Sequence, residues 1–135
     1  MPDFGPNVVN KTTTSVVQQY SLVRPNEGNA EAVDVPATAN IPPVGIALDG
    51  ATASGKTIRV AYLGIMDGTT QAIASNTITP GSLLFAAASG KVQPMPANPG
   101  TYYQVGIALS GATAAGDLVT LTTCAPRRVV IVDEP

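Results

Sequence analysis

The chain contains no histidine, no tryptophan and a single cysteine. Without an imidazole there is no Ser-His-Asp or Cys-His pair, no histidine general base and no histidine-bearing zinc site. One thiol, Cys124, permits neither an intramolecular disulfide nor a cysteine metal cluster, and with no base to activate it the residue reads as a small strand side chain. Charge is scarce as well. Only 12% of residues are charged, about half the usual fraction of near 25%. The seven lysines and arginines are scattered, adjacent only at Arg127-Arg128. They make no positive stripe of the kind nucleic acid needs, and no nucleic-acid partner is expected. The longest apolar run, Leu83 to Ala88, is far short of the roughly 20 residues of a membrane span, so no membrane partner is expected either. Met1-Pro2-Asp3-Phe4 lacks the basic and apolar regions of a secretory signal, which points to synthesis in a cytoplasm.

What remains is a pale, turn-rich chain. Its 135 residues suit one domain, and 13 glycines and 12 prolines punctuate a sequence that is 44% hydrophobic. A net charge of −2 gives little self-repulsion. Part of the apolar surface is therefore expected to be covered by other subunits.

The most informative feature is an internal repeat. Val44-Gly45-Ile46-Ala47-Leu48-Asp49-Gly50-Ala51-Thr52-Ala53-Ser54-Gly55 returns as Val105-Gly106-Ile107-Ala108-Leu109-Ser110-Gly111-Ala112-Thr113-Ala114-Ala115-Gly116, differing only at Asp49/Ser110 and Ser54/Ala115. Thr57 to Ala61 then aligns with Leu118 to Thr122, so that Ile58 and Val60 match Val119 and Leu121 with period 2. The unit is strand, Gly-bounded turn, strand. Two copies are too few for a solenoid and suggest two related elements of one barrel. Further turn dipeptides at Asp67-Gly68 and Pro80-Gly81, a hairpin over Ser82 to Gln93 and a closing strand over Arg128 to Val132 complete an all-β reading. The expected fold is a small single-domain β-barrel or sandwich.

Residues 1–40 differ from the body at 41–135. They mix β-branched residues with breakers and show no sustained period, which reads as an extended N-terminal arm. Ser15 to Val23 and Glu31 to Val35 are strand-like but lack an obvious hairpin partner. The arm is nevertheless richer in apolar residues than a disordered tail. Phe4, Val8, Val9, Val16, Val17, Tyr20 and Leu22 are therefore expected to bind a neighbouring subunit or another protein's sheet edge.

One motif misleads. Gly50-Ala51-Thr52-Ala53-Ser54-Gly55-Lys56-Thr57 satisfies the phosphate-loop pattern G-x-x-x-x-G-K-[ST]. That chemistry needs the loop to open a helix, whereas Ile58-Arg59-Val60-Ala61-Tyr62 alternates like a strand, and the second copy replaces Lys-Thr with Asp117-Leu118. No nucleotide is expected there. Asp49 and Asp67 could be paired acids or calcium ligands, but no EF-hand spacing exists and hydrated turn aspartates are the better reading. Of Tyr102 and Tyr103, one is expected in the core and one at an interface.

Val44 to Ile65, Ile78 to Phe85 and Val105 to Thr122 together resemble the capsid cement, or head decoration, proteins of tailed bacteriophages, small β-barrels with a Gly-Val/Ile-Ala-Leu strand followed by a Gly/Ala turn. The resemblance implies a structural, non-enzymatic homotrimer without cofactors. It would sit on the outer surface of the virion and clamp junctions between major capsid subunits. The alternative from another class is a small carbohydrate- or receptor-binding β-module of a phage tail or fibre, against which the lack of Trp argues.

Overall fold

In the computed structural model, which describes residues 8–64 and 69–132, the chain is all-β. Ten strands are joined by turns and one 3₁₀ turn at Ala88–Gly90. No helix among the described residues is long and apolar enough to cross a membrane. The first five strands are β1 (Val8–Thr13), β2 (Leu22–Asn26), β3 (Asn29–Asp34), β4 (Gly45–Ala47) and β5 (Thr57–Tyr62). They close into a barrel in the order β1-β3-β2-β4-β5, and β5 pairs back onto β1. The second five are β6 (Thr69–Ile73), β7 (Leu83–Ala86), β8 (Val92–Gln93), β9 (Gly100–Ala108) and β10 (Leu118–Ile131). They form a sheet in the order β6-β10-β9-β7-β8.

Strand formation follows the alternation of side chains. In β5, Ile58 and Val60 are buried while Thr57 and Arg59 face solvent, and in β10 Val119 and Leu121 repeat the pattern. A second cause is visible at Gly45 and Gly106. A Cβ at Gly45 would lie 2.6 Å from Val60 Cγ1 and 2.7 Å from the Ala61 carbonyl oxygen, and one at Gly106 only 2.1 Å from the Thr122 oxygen. Only glycine lets the paired strand approach so closely, which explains its presence in both copies.

The two copies of the sequence repeat do not share one barrel, as expected, but lie in different sheets, β4-β5 in the first and β9-β10 in the second. The reason is that the duplication is larger than the sequence repeat. Ala47↔Val60 in the barrel becomes Ala108↔Leu121 in the second sheet, and Leu22↔Ile46 becomes Leu83↔Ile107, each 61 residues on. β1 against β5 likewise becomes β6 against β10, with Thr12↔Thr57 matching Leu118↔Ile73. The bridge Val17↔Ala51 returns as Ile78↔Ala112. Even the parallel pairing of β1 with β3, which closes the barrel, has a counterpart in the parallel bridge Ala74↔Val92. The chain is thus two copies of one five-stranded unit.

This overturns the arm from Val8 onward. Three of the five barrel strands come from residues 8–34, and the Glu31 to Val35 segment does have a local partner, since β2 and β3 form a hairpin around Asn26, whose Oδ1 accepts from the Gly28 amide. Ser15 to Val23 is not one strand. It bridges at Val17, turns at Tyr20, whose φ of 72° is left-handed where the second copy has Gly81 at 90°, and enters β2 at Leu22. The closing strand, conversely, is not separate: β10 runs unbroken in sequence from the second repeat to Ile131, with a register shift between Thr123 and Arg127.

Removing residues 1–25 deletes β1 and most of β2, leaving β5 and β4 each without one of its two partners. That variant is expected to lose cooperative thermal unfolding, read by circular dichroism, whereas removing residues 1–7 is expected to leave the midpoint close to that of the full chain.

Candidate functional site

The repeated turns carry most of the polar chemistry, and the structure shows what it does. In the first copy the Gly50 to Thr57 loop spends its amides on its own chain: Ala51 N donates to the Val17 oxygen at 2.7 Å, Gly55 N to the Thr13 oxygen at 2.7 Å and Lys56 N to Thr13 Oγ1 at 3.2 Å. The loop is followed by β5, a strand, so no helix N-terminus faces it. In the second copy Ala112 N and Gly116 N make the same backbone bonds, to Ile78 and Ala74. Both loops are strand connectors.

The difference between the copies at Asp49 and Ser110 has a structural explanation. Asp49 Oδ2 accepts from the backbone N of Arg59 at 3.0 Å, and Ser110 Oγ accepts from the equivalent amide of Thr120 at 2.9 Å. One acceptor has replaced another at the same donor. Asp49 additionally receives the Arg59 guanidinium through Nε at 3.0 Å and Nη2 at 2.9 Å. The pair lies at the surface, where solvent screens such a bridge and leaves it little weight in stability. The guanidinium hydrogen bond, then the backbone amide, hold the Asp49 carboxyl below the usual range. Asp117 closes the second loop, its Oδ2 accepting from Thr113 N, Thr113 Oγ1 and Ala114 N. These donors, the Thr113 amide foremost, lower its pKa too. Asp67 lies outside the described residues, and among those described there is no group of three metal-ligating side chains. Cys124 is half-buried with Sγ 3.7 Å from the Gln104 oxygen, and burial pushes its thiol pKa up, away from a nucleophile's.

The expected binding residues scatter. Phe4 lies outside the described residues. Val8 is in β1, paired with Ala61. Val17 and Leu22 are buried in the chain's own core at 2% and 0% exposure, Val9 is packed against one core cluster and Tyr20 against the other. Val16 alone of the described set is exposed. The physical reason is twofold: the closed barrel turns Val17 inward, and the second unit packs over Leu22 and Tyr20. Tyr102 and Tyr103 also depart from expectation. Both are half-buried, in a two-stranded ribbon beyond the main sheet where Gly100 to Tyr103 pairs with Arg128 to Ile131.

The surface missed by sequence reasoning is apolar and lies on the second sheet. Leu83 on β7 is paired with Ile107 on β9, and Leu109 follows, all with substantial exposure. The ribbon adds exposed Val130 and Val132. The signal was present in the repeat: Ile107 and Leu109 align with Ile46 and Leu48, but their differing environments cannot be read from identical letters.

Two outcomes are expected from the loop geometry. Calorimetric titration with ATP and magnesium should show no micromolar binding, and binding that vanished in Lys56→Ala would contradict it. Because the Asp117 pKa is lowered on folding, its stabilisation is present above the unfolded carboxylate range of about 4 and is lost as pH falls through the folded value. Asp117→Ala should therefore melt below the parent at pH 7, with the gap closing under acid.

These features belong to a protein built from strands and smooth surfaces. The fold is similar to that of the N base of the head fiber gp8.5 in bacteriophage phi29, with a TM-score of 0.64 at 22% sequence identity, covering 87% of this chain and 92% of that one. Among curated proteins none matches. The family model described as phage cement protein matches residues 5–123. The match spans the barrel and the second sheet as far as Thr123 in β10, and the chain belongs to the phage cement protein family.

Proposed function

We propose that the protein binds the outer surface of a phage head as a homotrimer and clamps the junctions between major capsid subunits, with no catalytic role and no cofactor. The observation that carries the reading is family membership across nearly the whole chain. The surface supports it. A chain with a net charge of −2 and several exposed large apolar side chains, Leu83, Ile107, Leu109 and Val130 among them, has surface to bury and little repulsion to prevent it. Extra subunit contacts stabilise a shell by mass action, because a ligand that binds only the intact lattice shifts the equilibrium toward it.

Attachment is assigned to a shorter segment than the sequence suggested. Val17 and Leu22 cannot reach a capsid from the chain's own core, so the role narrows to residues 1–7 with Phe4, and to exposed Val16. Such a segment gains a partner's sheet edge at an ordering cost of about 1–2 kcal/mol per residue.

The test mixes undecorated heads with full-length protein or with a variant lacking residues 1–7. Full-length protein should bind and raise the temperature at which heads break, and the shortened one should bind at least about tenfold more weakly. Heads that neither bind the full chain nor gain stability would overturn the function. Equal binding by both would overturn only the assignment to residues 1–7.

A further inference from the structure

The duplication permits a comparison that one barrel alone would not. Equivalent faces of the two units meet different surroundings. In the first unit Leu22, Ile46 and Ala61 are each 0% exposed. Their equivalents in the second unit are Leu83 at 39%, Ile107 at 41% and half-buried Thr122. The first set is covered by the second unit: Leu22 and Ile46 fall in the cluster that holds Ala72, Ala74, Ala86 and Val92, and Gly90 sits so close that an added Cβ would lie 2.9 Å from the Leu22 oxygen. Tyr20 and Leu48 line one cleft with Thr69, Gln71 and Thr120. Among the described residues the second set stays open to solvent.

We infer that the face bearing Leu83, Ile107 and Leu109 is covered by the first unit of another copy, repeating between chains the contact that the two units make within one. The complementary surface is open too. Gln71, Ile73, Leu118 and Thr120 of the second unit line clefts shared with the first, with Leu118 still exposed, and the matching positions of the first unit are Asn10, Thr12, Thr57 and Arg59. Asn10, Thr57 and Arg59 are exposed, and Thr12 is half-buried. A head-to-tail contact of this kind joins two different patches, and it makes a ring when the rotation between copies closes. The inference rests on the trimer proposed above and specifies it: three chains make a ring of six alternating units, each handing the same face to the next.

The experiment uses the full chain with Cys124→Ser as background. Leu109→Cys with Arg59→Cys places thiols on the two faces expected to meet between copies, and Leu48→Cys with Thr120→Cys is the equivalent pair within one chain. A short bis-maleimide should link the first pair into a ladder ending at three chains and the second pair within a single chain. Alongside, Ile107→Lys should convert the trimer mass measured by light scattering to that of one chain, with an unchanged thermal midpoint, while Val130→Lys should leave the trimer intact. A trimer that persists in Ile107→Lys, or that yields no ladder from the first pair, shows that the copies meet elsewhere and overturns the ring while leaving the trimer standing. If Ile107→Lys keeps the trimer but loses head binding, the face docks capsid instead. A parent chain that is monomeric both free and on heads fails the trimer reading and the ring together.

Discussion

The pairing of β1 with β5 is the constraint on which the rest of the structure depends. It brings Val8 to Thr12 against Ala61 to Thr57 in antiparallel register and, with the parallel contact of Thr12 and Thr13 to Ala32 and Val33, closes the sheet on itself. A closed sheet has no edge. Closure also fixes which side chains point inward, so Val17, Val23, Val33, Ile58 and Val60 share one core although they are spread over much of the first half of the chain. The second unit reproduces β1-β5 as β6-β10, and its tighter approach at Gly106 shows how little the geometry has shifted.

With the frame fixed twice, the turns were free to change their chemistry. At the amide of residue 59 or 120 the fold needs an acceptor, and a carboxylate in one copy and a hydroxyl in the other both serve. The Lys-Thr that completes a phosphate-loop pattern in the first copy is one such local variation, in a loop whose amides are held by Val17 and Thr13. The fold tolerates such variation because the amides of both loops are held by the chain's own carbonyls whichever side chains the loops carry.

How much of this was legible follows from the range of each contact. The strand-turn-strand unit could be read because its partners are neighbours in sequence and its glycines recur at fixed places. β1 could not. Its sequence, Val-Val-Asn-Lys-Thr-Thr, does not alternate cleanly, and its partners β3 and β5 lie far downstream, so residues 8–34 looked like an arm. A fainter signal existed: Ser21-Leu22-Val23 and Ser82-Leu83-Leu84 occupy matching places upstream of the two repeats and would have extended the duplication into that segment. The candidate interface was illegible for a different reason. Ile46 and Ile107 are the same residue in the same local sequence, and only the packing of one unit on the other separates a core side chain from a surface one.

Pairing of the first strand of each unit with its last has a consequence for synthesis. On the ribosome β1 emerges before β3 and well before its antiparallel partner β5, so the nascent chain carries an incomplete first sheet with open edges while β2 to β4 are made. Non-local pairing of this kind is slow, since the intervening chain must be ordered before the contact that rewards it forms. Once Tyr62 has emerged, however, the first unit can seal itself before the second has been translated, and it then offers Leu22 and Ile46 as a finished surface on which the second unit settles. The order of the two halves in the gene thus matches the order in which a template and its dependent are needed.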